Sequence, residues 1–524
     1  MKSLFYGGNI ITMDTPSSAE AVLVEDGRIL AIGNKSNFNT DAKDTVLVNL
    51  DGATLMPAFI DPHSHFFQVA TSLLQVSLDG ADSAEEIRKR IQHFIAENNI
   101  KPGQWVNACD YDNNLMPQYK NPTIEQIDSF APDNPLIIHH KSGHMGLLNT
   151  KAFEFLGITP DTPSPEGGKI EKADGKLTGY LEENGLFTYL KKIPMPSMDK
   201  ILDAVVKAQD IYASYGITTV QEGMVAKEML PLYDIISREN LLKLDVNLFM
   251  SPDAYDEAVS KFGTSKDSCL HVSGIKIFLD GSPQGRTAWM RKPYADSDSY
   301  CAYGTMTDEL VESAFKFAAE RKTQLIAHCN GDAAAEQFLR CLEKTEKDYP
   351  VLSELRPVII HGQLIGLDQL PRAKKLGAMI SFFVAHVYHW ADVHIRNFGM
   401  ERASRISPVH SAMKNGIKCT FHQDAPVIAP DMLETVWCAV NRITKNGVQL
   451  SEDECLSVYD AFKAVTVNAA YQYSMEDSMG SLAVGKRADF VLLDKDPFKT
   501  AKSDLKDIKV LKTYKDGEVI YSAD

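Results

Sequence analysis

The stretch Phe59-Ile60-Asp61-Pro62-His63-Ser64-His65 decides how the rest of the chain is read. An apolar run leads into two histidines two residues apart, and side chains at that spacing on a strand point to one side. His63 and His65 can then meet one ion from a strand end, because neutral imidazole is a common nitrogen ligand for zinc and its neighbours. Alone, such a pair is more often two surface or loop histidines. Two further runs shift the balance: Leu325-Ile326-Ala327-His328 and Val358-Ile359-Ile360-His361 are apolar and end in histidine as well. Active sites of parallel β/α barrels gather at the carboxyl ends of strands, so these four histidines would converge on one rim.

Working outward, eight short runs read as strands: 54–60, 217–221, 245–250, 274–279, 324–327, 357–360, 378–383 and 418–421. Helical patterns lie between them. In one, 84–97, Ile87, Ile91, Phe94 and Ile95 share a face, and Ser83 and Glu86 stand at capping-box spacing. Strands alternating with helices indicate an α/β fold with a parallel sheet, either a closed (β/α)8 TIM-like barrel or an open doubly wound sheet. The two chain ends differ in texture, with short strands broken by turns such as Glu25-Asp26-Gly27-Arg28 and Lys515-Asp516-Gly517-Glu518. The expected layout is a discontinuous β-sandwich from 1–56 and 479–524, and a barrel over 57–478 with a long insertion at about 66–215. Part of that insertion, around Thr162-Pro163-Ser164-Pro165, is loop-like.

Two more residues bear on the chemistry. Lys276 sits inside the apolar run Gly274-Ile275-Lys276-Ile277-Phe278-Leu279, where a cation is costly to desolvate. It is either an edge lysine reaching solvent or an amine with a depressed pKa. Asp424 follows the last strand in His422-Gln423-Asp424-Ala425-Pro426. A carboxylate at such a rim can bind metal and take a proton from water, although turn or capping aspartates are common there.

Composition narrows the class. The 524 residues are 44% hydrophobic and 24% charged, the profile of a packed globular chain. A net charge of −16 argues against a nucleic-acid partner, because phosphate binding needs clustered Lys and Arg. No run approaches the roughly 18 apolar residues of a membrane span, so no membrane association is expected. The first residues lack a secretory apolar core, and the eight cysteines are scattered without a C-x-x-C pair, which together lead us to expect a cytoplasmic protein.

The order H-x-H, Lys, His, His, Asp resembles the amidohydrolase superfamily. Longer stretches are similar to its amidohydrolase-3 branch, which includes N-substituted formamide deformylases. They include Met56-Pro57-Ala58-Phe59-Ile60-Asp61-Pro62-His63-Ser64-His65, Ser142-Gly143-His144, Phe278-Leu279-Asp280-Gly281-Ser282, His328-Cys329-Asn330-Gly331-Asp332 and Gly480-Ser481-Leu482-Ala483-Val484-Gly485-Lys486-Arg487-Ala488-Asp489-Phe490. The resemblance implies that His63, His65, His328 and His361 are metal ligands and that Asp424 is both ligand and general base. It aligns Lys276 with a lysine that carbon dioxide carboxylates in many relatives, the carbamate then bridging two metals. The implied cofactor is a divalent metal, zinc first, as one ion or two.

The chain departs from the family where many relatives carry Gln-Pro-x-His, since Phe383-Val384-Ala385-His386-Val387-Tyr388-His389 stands there instead. His386 and His389 are candidates for that place near substrate. Arg286 is a candidate to meet a substrate carboxylate, and His144 to reach substrate from the insertion. The expected activity is hydrolysis of an amide or other C–N bond of a small molecule. Its alternatives are deamination of a heterocycle on the same scaffold and, third, a non-enzymatic regulator that keeps the fold. The expected partner is the small-molecule substrate, and a homodimer is compatible with the resemblance.

Overall fold

The computed structural model describes residues 2–39, 44–141, 143, 145–165, 168–194 and 196–523. Contacts divide the chain into two compact units, one of Met1–Phe66 with Gln209–Asp524 and one of Phe67–Ala208.

The first unit holds the expected parallel sheet. Its strands are β1 (Phe59–Ile60), β2 (Ile217–Val225), β3 (Asp245–Met250), β4 (Leu270–Phe278), β5 (Gln324–Cys329), β6 (Val358–His361), β7 (Met379–Phe382) and β8 (Cys419–Phe421). Each pairs in parallel with the next in the order β1 to β8, as in a TIM-like barrel. No ladder joins β8 back to β1 among the described residues, although His65 N–H donates to the Ala425 carbonyl at 2.9 Å. Helices follow the strands and cover them. Asp332–Glu346, after β5, buries Ala335, Phe338, Leu339 and Leu342 along one face. Phe338 meets Phe315 of the preceding helix Asp308–Arg321 edge to face at 5.2 Å. Each such side chain contributes about 1.5–3 kcal/mol when fully buried.

The expected strand 54–60 is two strands. Thr54–Pro57 joins the sheet of the chain ends, parallel to Lys2–Ile11 and antiparallel to Phe490–Leu493, while Phe59–Ile60 belongs to the barrel. The apolar run is continuous because both halves are buried, so hydrophobicity alone cannot mark the change of sheet. The terminal strands form one mixed sheet of eight, drawn from both ends of the chain. Its core packs Phe5 edge to face on Phe490 and Tyr514, with centroids 5.2 and 5.3 Å apart.

The second unit carries its own six-stranded sheet. Gly168–Ala173 and Lys176–Glu183 form a hairpin about Asp174-Gly175, directly after the stretch that looked loop-like. Ser83 caps the helix Ala84–Glu97 by accepting from the Glu86 backbone, but the Glu86 side chain turns to Arg90 at 2.8 Å instead of closing a capping box. Among the described residues, no helix is long and apolar enough to cross a membrane.

Candidate metal centre

The barrel strands deliver the site's residues to one end. His328 lies within β5 and His361 is the last residue of β6, and their rings meet with His361 Nε2 3.0 Å from His328 Nδ1. Lys276, inside β4, is 1% exposed, and its Nζ is 3.3 Å from His63 Nε2. Asp424 follows β8 and places Oδ1 3.2 Å from His63 Nε2 and 3.3 Å from His65 Nε2, with Oδ2 4.0 Å from His361 Nε2. Ligand atoms of His63, His361 and Asp424 all lie within 4.8 Å of one another. The six residues picked from the sequence are therefore linked by short contacts in one cluster.

The route to that cluster differs from expectation at one point. His63 and His65 do not extend a strand, because β1 ends at Ile60 and Asp61–Ser64 is irregular. The alternation rule therefore does not place them. Side-chain and backbone bonds do: His63 N–H donates to Asp61 Oδ1 at 3.2 Å, and His65 bridges to Glu222 of β2.

Two members sit in strained backbone. His361 has φ 75° and Asp424 φ 54°, in the left-handed region that non-glycine residues avoid. Each such position costs about 1–3 kcal/mol and persists where the surroundings enforce it, commonly at functional sites. Both side chains reach the common centre from these positions.

Electrostatics follow from burial. His63 is pushed down to about 4, first by desolvation and then by Lys276. His361 is held well below the ordinary imidazole range by burial and by His328. Lys276 is lowered to about 8 by burial, against the attraction of Asp424. For Asp424 burial opposes ionisation, but the surrounding imidazoles prevail and keep it on the low side. At neutral pH the ring of His63 is thus uncharged, beside a carboxylate.

This is the arrangement a cation fits. Asp424 Oδ1 is buried and, among the described residues, has no hydrogen-bond donor aligned on it. A buried carboxylate oxygen without a partner is costly, and imidazole nitrogens of His63 and His65 stand 3.2 and 3.3 Å from it. Nitrogen and oxygen donors in this mixture suit zinc and related divalent ions.

One histidine escaped the sequence reading. His422 is fully buried, with Nε2 3.0 Å from His361 Nδ1 and Nδ1 2.8 Å from Ser381 Oγ. It backs His361 as an outer partner of a ligand does. The signal was present, since His422 directly follows the apolar β8 just as His328 and His361 end apolar runs. Asp280 is a second omission. It accepts backbone N–H bonds from Trp289, Asn330 and Gly331 at 3.0, 2.8 and 2.7 Å, and so holds the turn after His328. Burial raises its carboxyl to about 7, against those three bonds. Gly331 is required in that turn, because a Cβ there would lie 1.8 Å from the Trp289 carbonyl oxygen.

His386, His389 and Arg286 are placed outside these six residues. His386 is buried and pairs with His394 through their ring nitrogens, with Nδ1 3.0 Å from Nε2 and the planes 4° apart. It approaches the cluster through Phe383, whose ring is 4.5 Å from His386 and 5.4 Å from His422. His389 Nε2 is 2.6 Å from Glu434 Oε1. Arg286 donates from Nη1 and Nη2 to Asp296 at 2.7 and 2.5 Å, so its fork is occupied by a neighbour's carboxylate instead of standing open for a substrate's. His144 lies outside the described residues.

The sequence profile of the amidohydrolase family matches residues 46–521. YtcJ of Bacillus subtilis (strain 168) is 28% identical, over 99% of this chain and 99% of its own length. The N-substituted formamide deformylase of Arthrobacter pascens is 26% identical, over 99% and 98%. Among solved structures, an uncharacterized metal-dependent hydrolase from Pyrococcus horikoshii OT3 superposes with a TM-score of 0.80 at 25% identity, covering 96% of this chain and 99% of that one. A strand order, a ligand-like cluster and a profile that spans nearly the whole sequence agree: the chain belongs to the amidohydrolase family.

Proposed function

We propose that this protein is a metal-dependent hydrolase that cleaves an amide or related C–N bond of a small molecule with water as nucleophile. The observation that carries the reading is the half-buried Asp424 carboxylate, whose buried Oδ1 faces the neutral His63 and has no aligned donor. His63, His65 and Asp424 would hold one divalent ion, with zinc favoured by the nitrogen-rich donors, and His328 and His361 would complete the set or hold a second. Such an ion supplies Lewis acidity, polarising the scissile carbonyl and making water acidic enough to ionise near neutral pH.

The chain's own groups do the rest. Asp424 accepts the proton from the attacking water at Oδ2, the oxygen left over from the contacts of Oδ1, and passes it to the departing nitrogen. Lys276, held near 8 by burial, has a neutral fraction at neutral pH that ammonium at its ordinary value lacks. A neutral amine can add carbon dioxide, forming an N–C bond and releasing one proton, and a carbamate on Lys276 would supply oxygen donors to a bound ion. The similarity to the N-substituted formamide deformylase of Arthrobacter pascens makes N-formyl compounds the first substrates to try.

The test is a hydrolysis screen over N-substituted formamides, other amides and cyclic ureas, with zinc- and manganese-loaded protein and with chelator-treated protein. Release of an amine with a carboxylate supports the reading. Ammonia as the only nitrogen product points to a deaminase, and no turnover in any loaded form counts against hydrolysis.

A further inference from the structure

Behind His63, away from Asp424, stands the side chain of Gln221 on β2, and both residues are fully buried. Gln221 Oε1 lies 2.5 Å from His63 Nδ1. The two ends of an amide have the same shape, so the direction of this bond turns on the amide's other contacts. Gln221 Nε2 is 2.8 Å from the Pro62 carbonyl, which can only accept. It is also 3.2 Å from Tyr473 Oη, whose own hydrogen goes to the Asp61 carbonyl at 2.9 Å. Both neighbours therefore need N–H from Gln221, and its oxygen must face the imidazole. His63 Nδ1 is then the protonated nitrogen, and Nε2 keeps its lone pair.

The surroundings hold this arrangement in place. Gln472 Nε2 donates to the same Pro62 carbonyl at 2.8 Å, and Thr420 Oγ1 fixes Gln472 at 2.7 Å. Gly223 leaves the room, since a Cβ there would lie 2.7 Å from Gln221 Oε1 and 3.3 Å from His63 Cε1.

We propose that Gln221 is a positioning residue that locks the tautomer of His63 and so keeps Nε2 available to a cation; the inference rests on the metal-centre reading above. Without the lock, the proton can move to Nε2 and be donated to Asp424 Oδ1, 3.2 Å away. That single hydrogen bond would consume two donor atoms of the site at once.

The experiment compares wild type, Gln221→Met and Gln221→Glu after removal of metal, measuring zinc affinity against a chromophoric chelator alongside melting temperature. Gln221→Met loses the acceptor and is expected to bind zinc about 10–100-fold more weakly, the usual cost of removing an outer partner. Gln221→Glu keeps an acceptor for Nδ1–H but loses both N–H bonds, so it should melt no higher than Gln221→Met yet bind zinc more tightly. A merely structural glutamine would make affinity follow stability across the series, and that result overturns the proposal. The tautomer is also read directly in metal-free wild type by NMR of 15N-labelled histidines, with His63→Gln for assignment. Protonation at Nδ1 is expected, and protonation at Nε2 overturns the proposal even if a Gln221 variant fails to fold. If wild type takes up no zinc, the metal-centre reading fails, while the tautomer readout still decides the role of Gln221.

Discussion

Lys276 and His63, 213 residues apart in sequence, meet nitrogen to nitrogen at 3.3 Å in the interior of the barrel end. A lysine with its ordinary charge is poorly suited to such a place, and burial accordingly lowers it to about 8. The contact places an amine that loses its proton easily beside the atoms that would hold the ion.

One consequence concerns carbon dioxide. Only the neutral amine forms a carbamate, and below about 8 the ammonium form of Lys276 dominates. Activation by added bicarbonate should therefore grow as pH rises from 6 toward about 8 and level off above it. Lys276→Met should show no bicarbonate response at any pH. Bicarbonate-independent activity in both proteins would remove the carbamate from the account.

Asp424→Asn tests the proton carrier. The substitution keeps the shape but removes the proton acceptor, so kcat should fall by about 10²–10⁴-fold, the range for general acid–base groups. Steady-state assays with saturating zinc separate this from lost metal, and a change confined to KM would contradict the assignment.

Stability depends on a second buried cluster, between the barrel and the terminal sheet. Asp245 at the start of β3 is 2.8 Å from Arg487 Nη1 and 3.0 Å from Lys515 Nζ, and all three are buried. Asp245→Ala leaves two buried cations short of a partner and should cost about 3–5 kcal/mol. Denaturant unfolding checks this, and a loss under 1 kcal/mol would mean that Asp489 and Asp516 already balance both cations.

A fourth expectation concerns acid. In the second unit, burial raises Asp112, but His140 and the backbone and side chain of Asn114 outweigh it and hold the carboxyl at about 2. A carboxyl depressed from 3.8 stabilises the fold above that value, and the contribution fades as pH falls toward about 2. Its size is about 2 kcal/mol. Asp112→Asn should thus melt below wild type at pH 7, with the gap narrowing below about 4 and closing only as pH falls to about 2; a constant gap would contradict the assignment.

Much of this site was legible because barrel strands announce their ends. His328 and His361 close apolar runs, Lys276 interrupts one, and Asp424 follows one. His422 obeys the same rule, directly following the apolar β8. Gln221 was invisible. A glutamine in a buried strand reads as one more polar interruption, and its role depends on Pro62 and Tyr473, which lie far from it in sequence. The change of sheet between Pro57 and Phe59 was hidden because hydrophobicity records burial and not the partner. For Arg286, no pattern marks Asp296 as its partner, since an exposed arginine ten residues from an aspartate is unremarkable in sequence.

The most direct test is the metal content of gently purified protein, by inductively coupled plasma mass spectrometry, for wild type and the double variant His63→Ala, His65→Ala. The account predicts one or two divalent ions per wild-type chain and a clear loss in the double variant while the fold is retained. Wild-type protein that carries no ion, takes none up from solution and matches the double variant in every respect would contradict it.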